Sequence, residues 1–301
     1  MTPAFGLAFA ALAALAVAAP AAAQDGTLKK IKDNGSITIG HRDASLPFSY
    51  YDDQQRPVGY SVEICARVVD ALKAELKMPK LDVKYQLVTS ANRIPLMANG
   101  TIDLECGSTT NNLERQKQVW FAVTTFVTAN RLVAKKASKI RKLDDMKGKT
   151  IVSTAGTTNI KQITELNAAR NLGMNIVSAN GHSESFLMVE SGRAVAFAMD
   201  DILLAGLVAS SKNPADYAIA PEALSIEPYG MMVRKDDTAF KKSVDGAIAA
   251  LFKSGAINKI YARWFQSPVP PRGVNLNVPM SAQLKKVIAN PTSSGDPKDY
   301  Q

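Results

Sequence analysis

The chain has 301 residues, 46% of them apolar and 21% charged, and a formal charge of +9 at neutral pH. That length holds two ordinary lobes with a core each, and the composition is that of a soluble globular protein. Its Lys and Arg scatter along the chain, and no helix-turn-helix, zinc-finger or RNA-binding signature is present, which argues against a nucleic-acid binder and leaves a basic protein whose field steers anionic ligands.

Residues 1–23 are rich in Ala and Leu and end in Ala-Ala-Ala. An apolar run with an A-x-A site reads as a secretory signal peptide, although no Lys or Arg precedes it. Its length is short for a membrane span. Gly26 to Asn34 then reads as a basic helix stopped near Gly35, and Ile37 to Ile39 as a strand running into Gly40-His41-Arg42. Pro47 to Tyr51 reads as a loop with exposed aromatics. From Tyr60, the apolar residues Val62, Cys65, Val68, Val69, Leu72 and Leu76 recur at helical spacing until Pro79. Leu81 to Val88 alternates like a strand. Thr89-Ser90 caps a helix that runs to Met97, and Thr101 to Leu104 is a short apolar strand.

The pattern restarts near Arg131. Strands are expected over 131–135, 149–153, 174–178, 194–199, 217–220 and 229–233. Helices are expected from Gly156 towards Arg170, over Ser183 to Ser191, Thr238 to Ser254 and Ala256 to Phe265, with a Pro- and Asn-rich tail that wraps a lobe or stays partly loose. Strands alternating with helices predict an α/β fold with parallel sheets.

The chemistry concentrates in Glu105-Cys-Gly-Ser-Thr-Thr-Asn-Asn-Leu-Glu-Arg115, which follows a strand. Gly107 admits backbone donors close to a ligand, Ser108 and Thr110 add hydroxyls, and Arg115 offers a fork suited to a carboxylate. Arg42 ends a strand, the edge where open α/β sheets take ligands, although on the residues alone a surface Arg paired with Asp43 or Asp52 is the favoured reading. Ser90 and Arg93 stand at one helix start and Thr154 to Thr158 at another, where N–H groups favour anions. His182 lies in a loop. Of Asp200 and Asp201, one is expected to cap the next helix and the other to be free for an ammonium group. Cys65 and Cys106 either pair, which an oxidising compartment permits, or remain free buried thiols.

These blocks resemble the amino-acid-binding proteins of bacterial ABC importers, and their acidic-amino-acid branch in particular. The matching runs are Gly-His-Arg-Asp-Ala-Ser-Leu-Pro-Phe-Ser-Tyr-Tyr from Gly40, Thr-Ser-Ala-Asn-Arg-Ile-Pro-Leu from Thr89, and the run from Glu105. Gly-Thr-Thr from Gly156, Glu-Ser-Gly-Arg-Ala-Val-Ala-Phe from Glu190, and Asp-Asp from Asp200 complete them. The resemblance implies a two-lobe type II binding-protein fold, a Venus flytrap with two hinge crossings near Val127–Arg131 and Ile226–Gly230. One lobe would comprise 24–130 and 227–301, and the inserted lobe 131–226. It further implies that Arg115, Ser108, Thr110 and Thr158, with Thr157 beside it, hold the α-carboxylate and amino end. Asp200 would pair with the ammonium, and Arg42, Ser90, Arg93 and His182 with the side-chain carboxylate. Cys65 departs from the ligand pattern, on the core face of a helix.

The implied ligand is glutamate or aspartate, and the implied partner is an inner-membrane ABC permease, served by a periplasmic monomer without cofactor. Three Arg and one Asp make the pocket about +2, against −1 for a dicarboxylic amino acid, so closure approaches balance, as a buried site requires. Glutamine would leave Arg42 and Arg93 facing an amide. Two histidines are too few for a His-rich metal site, no Gly-x-Ser-x-Gly elbow exists, and Leu143 stands where a phosphate loop before Gly148-Lys149-Thr150 needs its first Gly. A dehydratase on the same fold would need an acid/base pair, for which Glu105 and Glu184 are the candidates.

Overall fold

The computed structural model describes residues 26–301, so the expected signal peptide lies outside the described residues. In chain order, α1 (Thr27–Asn34) leads to β1 (Ser36–His41), to a small meander of β2 (Ala44–Ser45), β3 (Ser49–Tyr51) and β4 (Pro57–Val58), and to α2 (Tyr60–Leu76). Then come β5 (Asp82–Leu87), α3 (Arg93–Ala98), β6 (Leu104–Glu105), β7 (Val119–Phe121), β8 (Phe126–Thr128) and β9 (Asn130–Lys135). They are followed by β10 (Thr150–Thr154), α4 (Thr158–Ala169), β11 (Asn175–Ala179), α5 (His182–Glu190), β12 (Ala196–Asp200), α6 (Asp201–Ser210) and β13 (Tyr217–Ile219). The chain closes with β14 (Glu227–Tyr229), β15 (Met232–Arg234), α7 (Thr238–Lys253), α8 (Ala256–Phe265) and α9 (Ala282–Ala289).

Two five-stranded sheets form two lobes. Their strand orders are β5-β1-β6-β15-β7 and β11-β10-β12-β9-β13. Strands joined through helices pair in parallel, β1 with β5 and β6, and β10 with β11 and β12. The returning strands β15 and β9 pair antiparallel, so each sheet is mixed rather than purely parallel. Between the sheets the chain crosses twice. β8 and β14 run antiparallel there, with Thr128 opposite Glu227 and Phe126 opposite Tyr229.

Helix α2 forms because its apolar residues recur on one face. Ile64, Cys65, Val68 and Leu72 are at most 1% exposed and pack against α7 and α8. Each of the three aliphatic side chains contributes about 1.5–3 kcal/mol on burial. Cys65 pairs with Cys106, tying α2 to the residue after β6.

The expected loop with exposed aromatics is instead strand β3 and its approach. Phe48 is fully buried and Tyr50 is 3% exposed. A periodicity test fails on so short a strand, and the aromatics face a ring cluster formed by distant residues. Phe48 lies 4.9 Å from Phe126 and 5.2 Å from Tyr229, edge to face, so the cluster braces both crossing strands. The tail docks through α9 and through Tyr300, whose hydroxyl meets that of Thr124 at 2.7 Å.

Candidate ligand-binding site

Arg42 follows β1, Arg93 opens α3, and Arg115 opens a short 3-10 turn, so the first sheet delivers three guanidinium groups to its edge. All are buried, at 1%, 2% and 7% exposure. Arg93 donates through Nη1 to the Thr109 hydroxyl at 2.5 Å and to the Ser108 carbonyl at 3.4 Å. Arg115 donates to the Thr110 carbonyl at 2.8 Å and, across to the second lobe, to the Gly156 carbonyl at 3.3 Å. Arg42 reaches His182 Nε2 at 3.5 Å through Nη2. The alternative of a surface Arg42 paired with Asp43 or Asp52 is excluded by its burial, and Asp52 is taken by Arg56 at 2.7 Å.

Several buried donors have no protein partner: Arg42 Nε and Nη1, Arg93 Nε, Ser90 Oγ and Ser108 Oγ. A buried polar group without a partner costs about 1–3 kcal/mol, more when charged, so this set is arranged for something absent from the protein itself. Thr89-Ser90 was expected to cap α3, but the N-cap position is Asn92, without a side-chain cap. Thr89 and Asn92 instead close the turn before the helix, Thr89 accepting from Asn92 N at 3.1 Å and Asn92 from Thr89 N at 2.7 Å, and the Ser90 hydroxyl is left without a partner.

The second lobe supplies the opposite wall. Thr157 caps α4, accepting from Ile160 N at 3.2 Å and donating to the Thr154 carbonyl at 2.7 Å. Its hydroxyl is thereby spent on the helix start. Thr158 donates to Glu227 on the crossing strand at 3.0 Å. Asp200 ends β12 at 3% exposure, accepting from Asn159 at 2.7 Å and from the Tyr229 hydroxyl. Neither acidic residue caps α6. Asp200 is turned inwards, and Asp201 accepts from Thr128 at 2.5 Å and pairs with Arg131 at 3.0 Å.

His182 is the first residue of α5 rather than a loop residue, and only 3% exposed. Ser185 spends its proton on the Gly181 carbonyl, so Thr154 donates to Ser185 and accepts from His182 Nδ1–H. The Nε2 lone pair therefore faces Arg42. Burial, and then the charges of Arg42 and Arg93, hold the imidazole pKa well below its ordinary value, so the ring is neutral.

Ser90, Arg93, Ser108, Thr110, Thr157, Thr158, His182 and Asp200 all line one cavity between the lobes, closed down to about 10 Å³. That is the space of no more than about one water molecule, so the side chains of the two lobes already close on the site. Arg42 and Arg115 are not among its lining residues; they reach it through His182, and through Thr110 and Gly156. A larger depression of about 550 Å³ between Gly26, Ala98 and Thr238 is open to solvent, and its buried carboxylate, Asp237, is already taken by Thr27 N and Phe240 N. Among the described residues no cluster of His, Cys, Asp and Glu is placed to hold a metal.

Sequence reasoning missed Asn159, Met199 and Leu203 in the lining, and Thr109, Glu227 and Tyr229 around it. Asn159 and Thr109 adjoin recognised residues, so neighbourhood was the available signal. Glu227 and Tyr229 carry none, since only the second crossing brings them in. The expected pocket charge of about +2 also changes, because buried Glu105 and Glu227 join Asp200 against the three Arg. Burial, then the charge of Arg93, lowers the Arg42 and Arg115 pKa values to about 10; Glu105 opposes this at Arg42, and Glu227 at Arg115. Burial, then the charge of Glu227, raises the Asp200 pKa to about 7, while the Tyr229 and Asn159 hydrogen bonds act the other way. Chemically this is a closed polar cell for a small molecule bearing carboxylates and a cation.

The family model of bacterial extracellular solute-binding proteins, family 3, matches residues 37–267. The L-glutamate/L-aspartate-binding protein of Pseudomonas aeruginosa is 55% identical over 285 residues, covering 94% of each chain. The glutamate/aspartate import solute-binding protein of Escherichia coli is 48% identical, covering 91% of this chain and 90% of its own. Among solved structures, a mutant of ArgBP from T. maritima superposes with a TM-score of 0.71 at 27% identity, covering 80% of this chain and 99% of that one. With its two lobes, two crossings and enclosed polar cell, the chain belongs to the bacterial extracellular solute-binding proteins, family 3.

Proposed function

We propose that this protein captures L-glutamate or L-aspartate in the periplasm by closing two lobes and delivers it, as a monomer, to the membrane permease of an ABC importer. Residues 24–130 with 227–301 form one lobe and 131–226 the other. The observation that carries the reading is the set of buried, unpartnered donors on Arg42, Arg93, Ser90 and Ser108 around a cavity whose other wall holds Asp200. The names of the Pseudomonas and Escherichia relatives agree with it.

The charges divide by end. Arg42 and Arg93 with Glu105 leave +1, which the ligand's side-chain carboxylate neutralises. Arg115, Ser108, Thr110 and the first turn of α4 take the α-carboxylate, and Asp200 takes the ammonium. Thr157 and Thr158 act through the helix start, since their hydroxyls are already donated. His182 holds Arg42 in place as a neutral acceptor. Glutamine would leave the first end uncompensated.

A binding role rather than catalysis follows from the same geometry. Glu184, one dehydratase candidate, accepts from Asn180 N at 3.0 Å, and Glu105 is enclosed behind Thr109, so the two form no acid/base pair in the cavity. Calorimetry on ligand-stripped protein with each of the twenty amino acids tests the reading. Glutamate and aspartate are expected to bind far more tightly than glutamine or arginine; comparable glutamine binding overturns it.

A further inference from the structure

Glu105 is a fully buried carboxylate that the capture described above does not touch. It ends β6, and its Oε2 accepts from the Thr109 hydroxyl at 2.8 Å, whose oxygen in turn accepts from Arg93 at 2.5 Å. Its Oε1 has no partner. Glu105 is not among the cavity's lining residues. Room for it is made by Gly107, where a Cβ would stand 2.2 Å from Glu105 Oε1 and 3.0 Å from Arg42 Cγ. Its charge favours the protonated forms of Arg42, Arg93 and Arg115 against their burial. A buried carboxylate with one oxygen unsatisfied is costly as a purely structural element, since an apolar residue would fill that space without the penalty.

We propose that Glu105 is a fixed internal counter-ion that sets how strongly the cavity prefers a carboxylate over an amide at the ligand's side-chain end. The inference rests on the acidic-amino-acid reading above. Glu105 neutralises one of the two positive charges on Arg42 and Arg93 and leaves one for the ligand. The same negative charge repels the ligand's carboxylate, so it limits affinity for acidic ligands below what two uncompensated guanidinium groups would give. Through Thr109 it also fixes the orientation of Arg93. Glu105 is thus a tuning and positioning residue without ligand contact, and it keeps binding weak enough for cargo to be released.

The test is calorimetry with glutamate and with glutamine on ligand-stripped full-length parent, Glu105→Gln, Thr109→Val and Thr109→Ser proteins. Glu105→Gln keeps an acceptor for Thr109 and removes the charge. It is expected to raise the ratio of glutamate to glutamine affinity by about tenfold or more, as a like charge several ångströms from the ligand disappears. Thr109→Val frees Arg93 and is expected to lower that ratio, while Thr109→Ser restores it. A structural role alone would move both ligands together. A folded Glu105→Gln protein with an unchanged or reduced ratio overturns the proposal. Should Glu105→Gln fail to fold, the Thr109 pair decides, and equal losses for both ligands in Thr109→Val overturn it. A parent protein that binds no glutamate defeats the acidic-ligand reading itself, whereas a parent that binds it beside an unresponsive ratio defeats only the role of Glu105.

Discussion

Tyr229 donates its phenolic proton to Asp200, so a strand of the inter-lobe crossing holds the carboxylate at the wall of the cavity. The contact couples a hinge element to the group that receives the ligand's charge.

That carboxylate gives binding a pH dependence of definite sign. The Asp200 pKa is raised to about 7 in the ligand-free protein, by burial and then by Glu227. An unfolded Asp ionises near the ordinary value of 3.8, so between 3.8 and about 7 the folded state holds more protons. Ligand-free stability from this group therefore falls as pH rises through that window and is flat above it. An ammonium group needs the ionised form, so affinity should fall up to tenfold per pH unit below about 7. Binding at pH 6 should release a proton, visible as a dependence of calorimetric heat on buffer ionisation. His182, whose pKa burial and then Arg42 and Arg93 hold well below its ordinary value, adds no step near pH 7. Affinity that is flat from pH 8 to 5.5 would show that Asp200 is not the ammonium partner.

Tyr229→Phe removes one of the two hydrogen bonds that favour Asp200 ionisation. The midpoint of the affinity–pH curve should move upwards, and affinity at pH 7 should drop several-fold. The check is the same titration series.

The three arginines should separate by ligand. Arg115→Met is expected to weaken every amino acid by about ten- to hundredfold, the value of lost charge-assisted hydrogen bonds at a common α-carboxylate. Arg93→Met should cost acidic ligands that much and glutamine far less. Competition binding across a panel of amino acids reads both.

Gly156 has φ +75°, and a Cβ there would stand 2.5 Å from Ala91 Cα in the other lobe. Gly156→Ala should obstruct lobe closure and add a left-handed backbone cost of about 1–2 kcal/mol. All ligands should weaken together, and X-ray scattering should show less compaction on adding glutamate than in the parent. Full compaction in the variant would refute closure at this contact.

Cys65→Ser with Cys106→Ser removes a bond spanning 41 residues of sequence. The chain-entropy relation gives a loss of about 4 kcal/mol, to be read by denaturant unfolding. Ligand preference should persist, since neither sulfur is among the residues lining the cavity.

Elements with a strong local signal were legible. The apolar face of α2 and the Gly-Thr-Thr start of α4 follow from rules acting over a few residues, and so do the strand ends that carry Arg42 and Asp200. The burial of Phe48 and Tyr50 was not legible, because it depends on Phe126, Tyr229 and Trp264, brought close only by the crossings. For the same reason Glu227 and Tyr229 gave no sign of joining the site. Helix α9 carries a Ser281 cap that accepts from Leu284 N at 3.1 Å, yet it was lost among neighbouring Pro and Asn. Ser90 and Thr89 show a finer limit: a hydroxyl shortly before a helix reads as a cap, yet Thr89 is spent on the turn with Asn92 and Ser90 stays unpaired.

The place of β15 within the first sheet has a bearing on how the molecule is made. Residues 232–234 fill the slot between β6 and β7, strands that end before residue 122. A chain emerging from its N-terminus cannot complete that sheet until the whole second sheet, drawn from residues 130–219, has already passed. The second sheet is free to form as soon as it appears. Biogenesis therefore has a built-in order: the lobe begun first is finished last, and its three guanidinium groups gain their final surroundings only when β15 arrives.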